Sequence, residues 1–220
     1  MIMATANDKT LQDMDEHTKL DLSEVEPFSY DENTTDVVLC VEEKKLHLSR
    51  GVLMLASPVF RKMLTSNGEG TQNEISLPEE SYKDFVLFLK FFSPVEYVEL
   101  HEGTVTTVLP LAKRYQVASV LKKCEDWLLT EIKYLINKEI RYERERRSMV
   151  EFFAKCLFLA TKNDLKSLYA RAFELLITYK LSRYRRSRYY DDLPDRDKLQ
   201  LLEARMVKIE KADYILDGDD

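Results

Sequence analysis

Hydrophobic and polar positions change their rhythm at Asp36. Val37, Val38, Leu39, Cys40 and Val41 form a β-branched run, Glu42-Glu43-Lys44-Lys45 supplies a charged turn, and Leu46-His47-Leu48 carries the chain back, which predicts a β-hairpin. Apolar spacing then lengthens to three and four. Ser49 is placed to cap a helix carrying Val52, Leu53 and Leu55, and Pro58 suits the first turn of a second with Val59, Phe60, Met63 and Leu64. The Gly, Ser and Asn of 66–73 predict a loop, and Glu74-Ile75-Ser76-Leu77 alternates like a strand.

Helices follow. Ser81 is a candidate cap for one with Phe85, Phe88, Leu89 and Phe92 at i, i+3, i+4 and i+7. A helix from about Thr104 turns Val105, Val108, Leu109, Ala112 and Tyr115 inward, with Pro110 expected to kink it. The next starts near Ser119 and stacks Val120, Cys124 and Leu128. Charge dominates 133–147, which predicts a solvated helix or linker. Beyond it the period is helical throughout. Phe152, Phe153, Cys156, Leu157 and Ala160 mark one helix, and Asp164 is a candidate cap for another with Leu165, Leu168, Ala172, Leu175 and Leu176. A third from Asp195 carries Leu199, Leu202, Met206 and Ile209 on one face.

The pattern divides the chain into a disordered acidic tail (1–35), a mixed sheet-and-helix unit (36–132), the charged connector (133–147), a helical region (148–216) and an acidic end (217–220). The tail carries nine acidic residues against two lysines and few large apolar groups, too little buried surface to offset ordering entropy.

Composition narrows the function. Hydrophobic residues make up 45% of the 220, enough for a packed core, and 33 Lys and Arg against 39 Asp and Glu give a net charge of -6. A polyanion is therefore disfavoured as a partner. No apolar run approaches the roughly 20 residues that span a bilayer. Three scattered cysteines, with no CxxC pair and no secretory leader, suit a reducing cytosol or nucleus. His17, His47 and His101 offer no nucleophile a base, no Cys or His pair has ligand spacing, and no glycine motif cradles phosphate. No enzyme, metal or cofactor is expected. One cluster, 183–190, mixes Arg183, Arg185, Arg186 and Arg188 with three tyrosines, as single-strand nucleic-acid binders do, which makes nucleic-acid binding through it an alternative function. Asp191, Asp192, Asp195 and Asp197 follow and can neutralise it, so an intramolecular or solvated charged loop is the preferred reading.

Asp36-Val37 at the strand, Ser57-Pro58-Val59-Phe60 with Met63, and Ala112-Lys113-Arg114-Tyr115 ahead of Leu121-Lys122-Lys123-Cys124-Glu125 occur in an order that resembles a BTB/POZ domain of the MATH-BTB type over 36–132. The helices from 148 onward are similar to BACK-like helices. The resemblance implies an α+β fold, a small sheet flanked by a helical cluster, followed by an all-α extension. It also implies homodimerisation, an adaptor or scaffold role, and in many relatives recruitment of the cullin scaffold of a ubiquitin ligase. Asp36, Arg50 and Val52 fall at its dimer-interface positions. Met63, Leu64, Thr65, Ser66, Gly68 and Glu69 fall in its cullin-binding segment.

Departures are visible too. Ser49 stands where the family usually has His, and His47, two residues earlier, does not take that role. Gly68 and Gly70 occupy the places of the family's apolar residue and Glu. The leader lacks the apolar period of the helix that many relatives place before the first strand, and its 35 residues are too few for a MATH domain.

Overall fold

The β-branched run folds as a strand because alternate residues find a core: β1 (Val37–Val41) buries Val37, Leu39 and Val41. β2 (Lys44–Leu48) pairs with it antiparallel, Val37 facing Leu48 and Val41 facing Lys44. These observations come from a computed structural model that describes residues 27–65, 73–92, 98–138 and 143–216. The turn is Glu42-Glu43, with φ of 48° and 65°, the left-handed geometry of a two-residue hairpin that Asn-Gly normally supplies. β3 (Glu74–Ser76) adds to the other edge of β1 in parallel, Leu39 facing Ile75, giving the order β2-β1-β3.

Helices cover this sheet. α1 (Arg50–Ala56) and α2 (Pro58–Thr65) form the turn after the hairpin. Ser57 joins them and is buried: its Oγ accepts from the Phe60 amide at 3.0 Å and donates to the Tyr115 carbonyl. α3 (Tyr82–Lys90), α4 (Glu102–Arg114) and α5 (Ala118–Asn137) complete the unit. Phe60, Phe85 and Phe88 all pack on Tyr115, with ring centroids 4.6, 5.5 and 5.7 Å away. Each fully buried Phe is worth about 1.5–3 kcal/mol of transfer free energy. Tyr115 keeps its hydroxyl satisfied by donating to Glu80 at 2.8 Å, and Arg114 holds the same carboxylate at 2.6 Å.

α4 begins two residues earlier than its apolar period suggests, because His101 caps it. The His101 Nδ1 accepts from the Thr104 amide while the Thr104 hydroxyl takes the His101 amide. α4 continues through Pro110, which lies on the exposed face, to Arg114.

The helical extension comprises α6 (Glu143–Asn163), α7 (Lys166–Leu176), a short 3-10 turn (Leu181–Arg183), α8 (Arg188–Asp191) and α9 (Asp195–Leu216). It joins the first unit through apolar contact and three carboxylates, those of Glu125, Glu102 and Asp164. Glu125 of α5, buried, accepts from the Leu168 amide in the first turn of α7 at 3.1 Å. Glu102 of α4 pairs with the buried Lys155 of α6 at 2.6 Å.

Local capping expectations need correction. Asp164 does not cap α7: it sits at φ 57° and pairs with Lys113 at 2.6 Å, while Leu165 holds the N-cap position. Ser49 and Ser81 occupy N-cap positions with extended backbone, but neither hydroxyl makes the capping bond. In α9, Leu201 is buried, whereas Leu199, Met206 and Ile209 are exposed. Asp197 fixes that orientation by turning inward to accept from Thr161 and Tyr169.

Candidate functional site

Asp36 lies just ahead of β1 and Arg50 opens α1, and the hairpin brings them together. The Asp36 carboxylate accepts the Arg50 amide at 2.5 Å, so it does for α1 what the Ser49 hydroxyl does not. A carboxylate there also answers the helix dipole. The Arg50 guanidinium reaches away, donating to the Leu64 carbonyl at 3.2 Å and to Asn73 at 3.3 Å, which ties α1 to the end of α2 and the entry to β3. The expected pair is thus a backbone contact plus a separate guanidinium bridge.

Val52, two residues further along, is half-buried. It borders a cleft of about 620 Å³ with Phe28, Thr35, His47, Leu89 and Phe92. Part of this wall comes from residues assigned to the acidic leader. The Phe28 carbonyl accepts from the His47 amide at 2.8 Å, Tyr30 sets its ring edge-on to His47 at 5.5 Å, and Asp31 closes a turn by accepting from Asn33, Thr34 and Thr35. Residues 1–26, including the rest of that tail, lie outside the described residues.

Leu55 is the residue whose role the spacing alone obscured. It is 83% exposed, although Leu53 beside it is fully buried. At roughly 100° per residue the two point about 200° apart, so the signal was present in the numbering. α1 therefore presents apolar surface at Val52 and Leu55 on a helix whose other side is core.

The segment 63–69 is only partly in view. Met63 is partly exposed, Leu64 packs on the core, and the exposed Thr65 folds its hydroxyl back to the Arg61 carbonyl at 2.8 Å. Arg61 in turn donates to the Met54 carbonyl at 2.9 Å, bracing α2 against α1. Ser66, Gly68 and Glu69 lie outside the described residues.

Two of the three thiols, Cys124 and Cys156, are buried. Burial pushes Cys124 up to about 12 and raises Cys156 further from reactivity. Cys40 is also raised, first by desolvation and then by its bond to Glu74 at 2.9 Å. Among the described residues no cluster of three or more His, Cys, Asp and Glu could hold a metal ion, and no helix is long and apolar enough to cross a membrane.

The Arg/Tyr cluster is partly structural. Tyr184 is buried and meets Tyr190 edge-on at 5.6 Å, and Arg188 lies over the Tyr189 ring at 4.8 Å. Arg185 and Arg186 are exposed. Trp127 lines a second cleft with Phe152 and Tyr189, at the seam between α5 and the helical extension.

Comparison with known proteins identifies the first unit. The BTB/POZ domain family model matches residues 25–132. BTB and MATH domain-containing protein 36 of Caenorhabditis elegans is 36% identical over 140 residues, 62% of this chain and 43% of that protein. Kelch-like protein 7 of Homo sapiens is 32% identical over 98 residues, 44% of this chain and 17% of its own length. The chain spans less than half the length of these relatives. The solved BTB (Tramtrack and Bric a brac) domain of human gigaxonin is 23% identical, with a TM-score of 0.37, over 44% of this chain and 79% of that one.

Proposed function

We propose, from the premise that residues 25–132 form a BTB/POZ domain, that the chain acts as a non-catalytic adaptor or scaffold which homodimerises through the face built by Asp36, Arg50 and Val52. BTB domains are protein-interaction modules. The finer reading rests on one observation: α1 carries Leu55 at 83% exposure beside Val52 and a cleft walled in part by Phe28, Leu89 and Phe92, a combination that costs solubility unless another surface covers it. A two-fold dimer places the same patch on both sides, so Val52 and Leu55 of each copy meet one self-complementary surface. Asp36 and Arg50 act indirectly, by fixing where α1 starts and how it is held to α2.

Sedimentation of the full chain at micromolar concentration tests this. The expected result is a dimer that Val52→Asp or Leu55→Asp converts to monomer with the fold intact by circular dichroism. A monomer before substitution, or a dimer indifferent to both changes, would overturn it.

A second reading is a substrate adaptor for a cullin ubiquitin ligase. It is favoured by the partly exposed Met63 on α2 and opposed by Gly68 and Gly70, which offer no apolar anchor and no carboxylate. A pull-down with purified cullin decides it: binding lost with Met63→Ala supports it, and no binding even with Gly68→Phe and Gly70→Glu removes it.

A further inference from the structure

α9 (Asp195–Leu216) is apolar on two opposite sides. One side serves the fold: Leu201 is fully buried, Asp197 accepts from Thr161 at 3.2 Å and Tyr169 at 3.0 Å, and Arg205 donates to the Ile177 and Tyr179 carbonyls. The other side has no such role. Leu199, Met206 and Ile209 are 56%, 60% and 46% exposed, and Leu202 is half-buried.

These four residues are spaced three, four and three apart. That is the a and d rhythm of a coiled-coil seam, with Leu199 and Met206 at a and Leu202 and Ile209 at d. Leu201, the body-facing residue, then falls at c. A helix that docks through Asp197 at f, Leu201 at c and Arg205 at g, and leaves three of its four a/d residues exposed, presents the geometry of one strand of a pair.

The flanking charges specify the other strand. The e positions are Glu203 and Glu210, both exposed, and the g positions are Lys198 and Arg205. In a parallel pair of identical helices each g residue faces the e residue five places on in its partner. Lys198 then meets Glu203, and Arg205 meets Glu210, twice each by symmetry. An antiparallel pair sets g against g and e against e, so every flanking contact is between like charges. Lys198 and Arg205 already donate to carbonyls of their own chain, and Lys198 also pairs with the exposed Asp195 at 3.6 Å, but an ammonium has three donors and a guanidinium five, which leaves donors for a facing carboxylate.

We infer that α9 is a second self-association surface, pairing in parallel and in register with α9 of another copy of this chain. This contact is separate from the α1 face and does not depend on it. The seam is short, two heptads before Asp213 takes the next a position, so the association is expected to be weak and concentration-dependent. Two unlike self-pairing surfaces on one chain would let dimers link into larger assemblies.

The test is disulfide trapping in the full chain with Cys40→Ser, since Cys124 and Cys156 are buried. In-register a positions bring β-carbons close enough to bridge, so Met206→Cys should form disulfide-linked dimers several-fold faster than Lys208→Cys, which lies at c. Adding Ile209→Asp, or Glu203→Lys with Glu210→Lys, should reduce trapping several-fold, and adding Val52→Asp should leave it in place. Equal trapping at both cysteines, or trapping indifferent to Ile209→Asp, would overturn the inference. Sedimentation of Val52→Asp alone reads the α1 interface, so the two surfaces can fail separately.

Discussion

Glu125 on α5 accepts a hydrogen bond from the backbone amide of Leu168 at 3.1 Å, 43 residues away and in the first turn of α7. One buried carboxylate thereby caps a helix in the extension from within the BTB unit, and couples the stability of the two. Truncating it strands a buried N–H. Glu125→Ala should destabilise the chain by about 1–3 kcal/mol, while Glu125→Gln, which keeps a carbonyl acceptor, should retain most of that. Urea unfolding measures both, and a loss confined to neither variant would mean the bond carries no weight.

Ser57 links α1, α2 and α4 through a single hydroxyl. It is fully buried and serves as acceptor for Phe60 and donor to Tyr115. Ser57→Ala leaves a buried amide and a buried carbonyl short of partners, so a loss of roughly 1–3 kcal/mol is expected. Ser57→Thr should restore part of it if the added methyl is accommodated. Thermal melts of the three chains provide the comparison.

The hairpin turn carries strain that substitution can relieve. Glu42 and Glu43 both hold positive φ, a region that costs an ordinary residue about 1–2 kcal/mol. Replacing them with Asn-Gly should stabilise the protein by roughly 1 kcal/mol after allowing for the entropy that Gly adds to the unfolded chain. A lower urea midpoint would argue that the two glutamates are held by something other than turn geometry.

Alkaline pH should unfold the chain before neutral pH does. Burial pushes Cys124 from 9.0 up to about 12, and burial with the Asp197 bond pushes Tyr169 from 10.0 to about 12. The folded state therefore keeps protons that the unfolded state releases. Their contribution is whole below pH 9 and declines as pH rises through about 12. The urea midpoint should fall above pH 9, and Cys124→Ala with Tyr169→Phe should flatten that fall; a midpoint that rises would contradict the assignment.

The sequence by itself determined most of the elements and, in the sheet-and-helix unit, their inward faces. Period two at Val37–Val41 and periods three and four at Phe85, Phe88 and Leu89 are local properties of the chain, and burial follows them. The motif order was enough to point to the BTB/POZ fold. The same numbering holds Leu55 opposite Leu53, and the Leu199-to-Ile209 stripe at heptad spacing. What it could not give was partnership across distance. Ser49 and Asp164 were the local candidates to cap α1 and α7, yet Asp36 and Glu125 take the α1 and α7 amides. Any carboxylate that reaches an orphan N–H satisfies it equally well, and only the packed chain decides which one arrives. The same holds for β3, whose parallel pairing with β1 is invisible to alternation, and for α9. An apolar stripe reads as core in sequence; tertiary structure turned its opposite side inward and left the stripe facing outward.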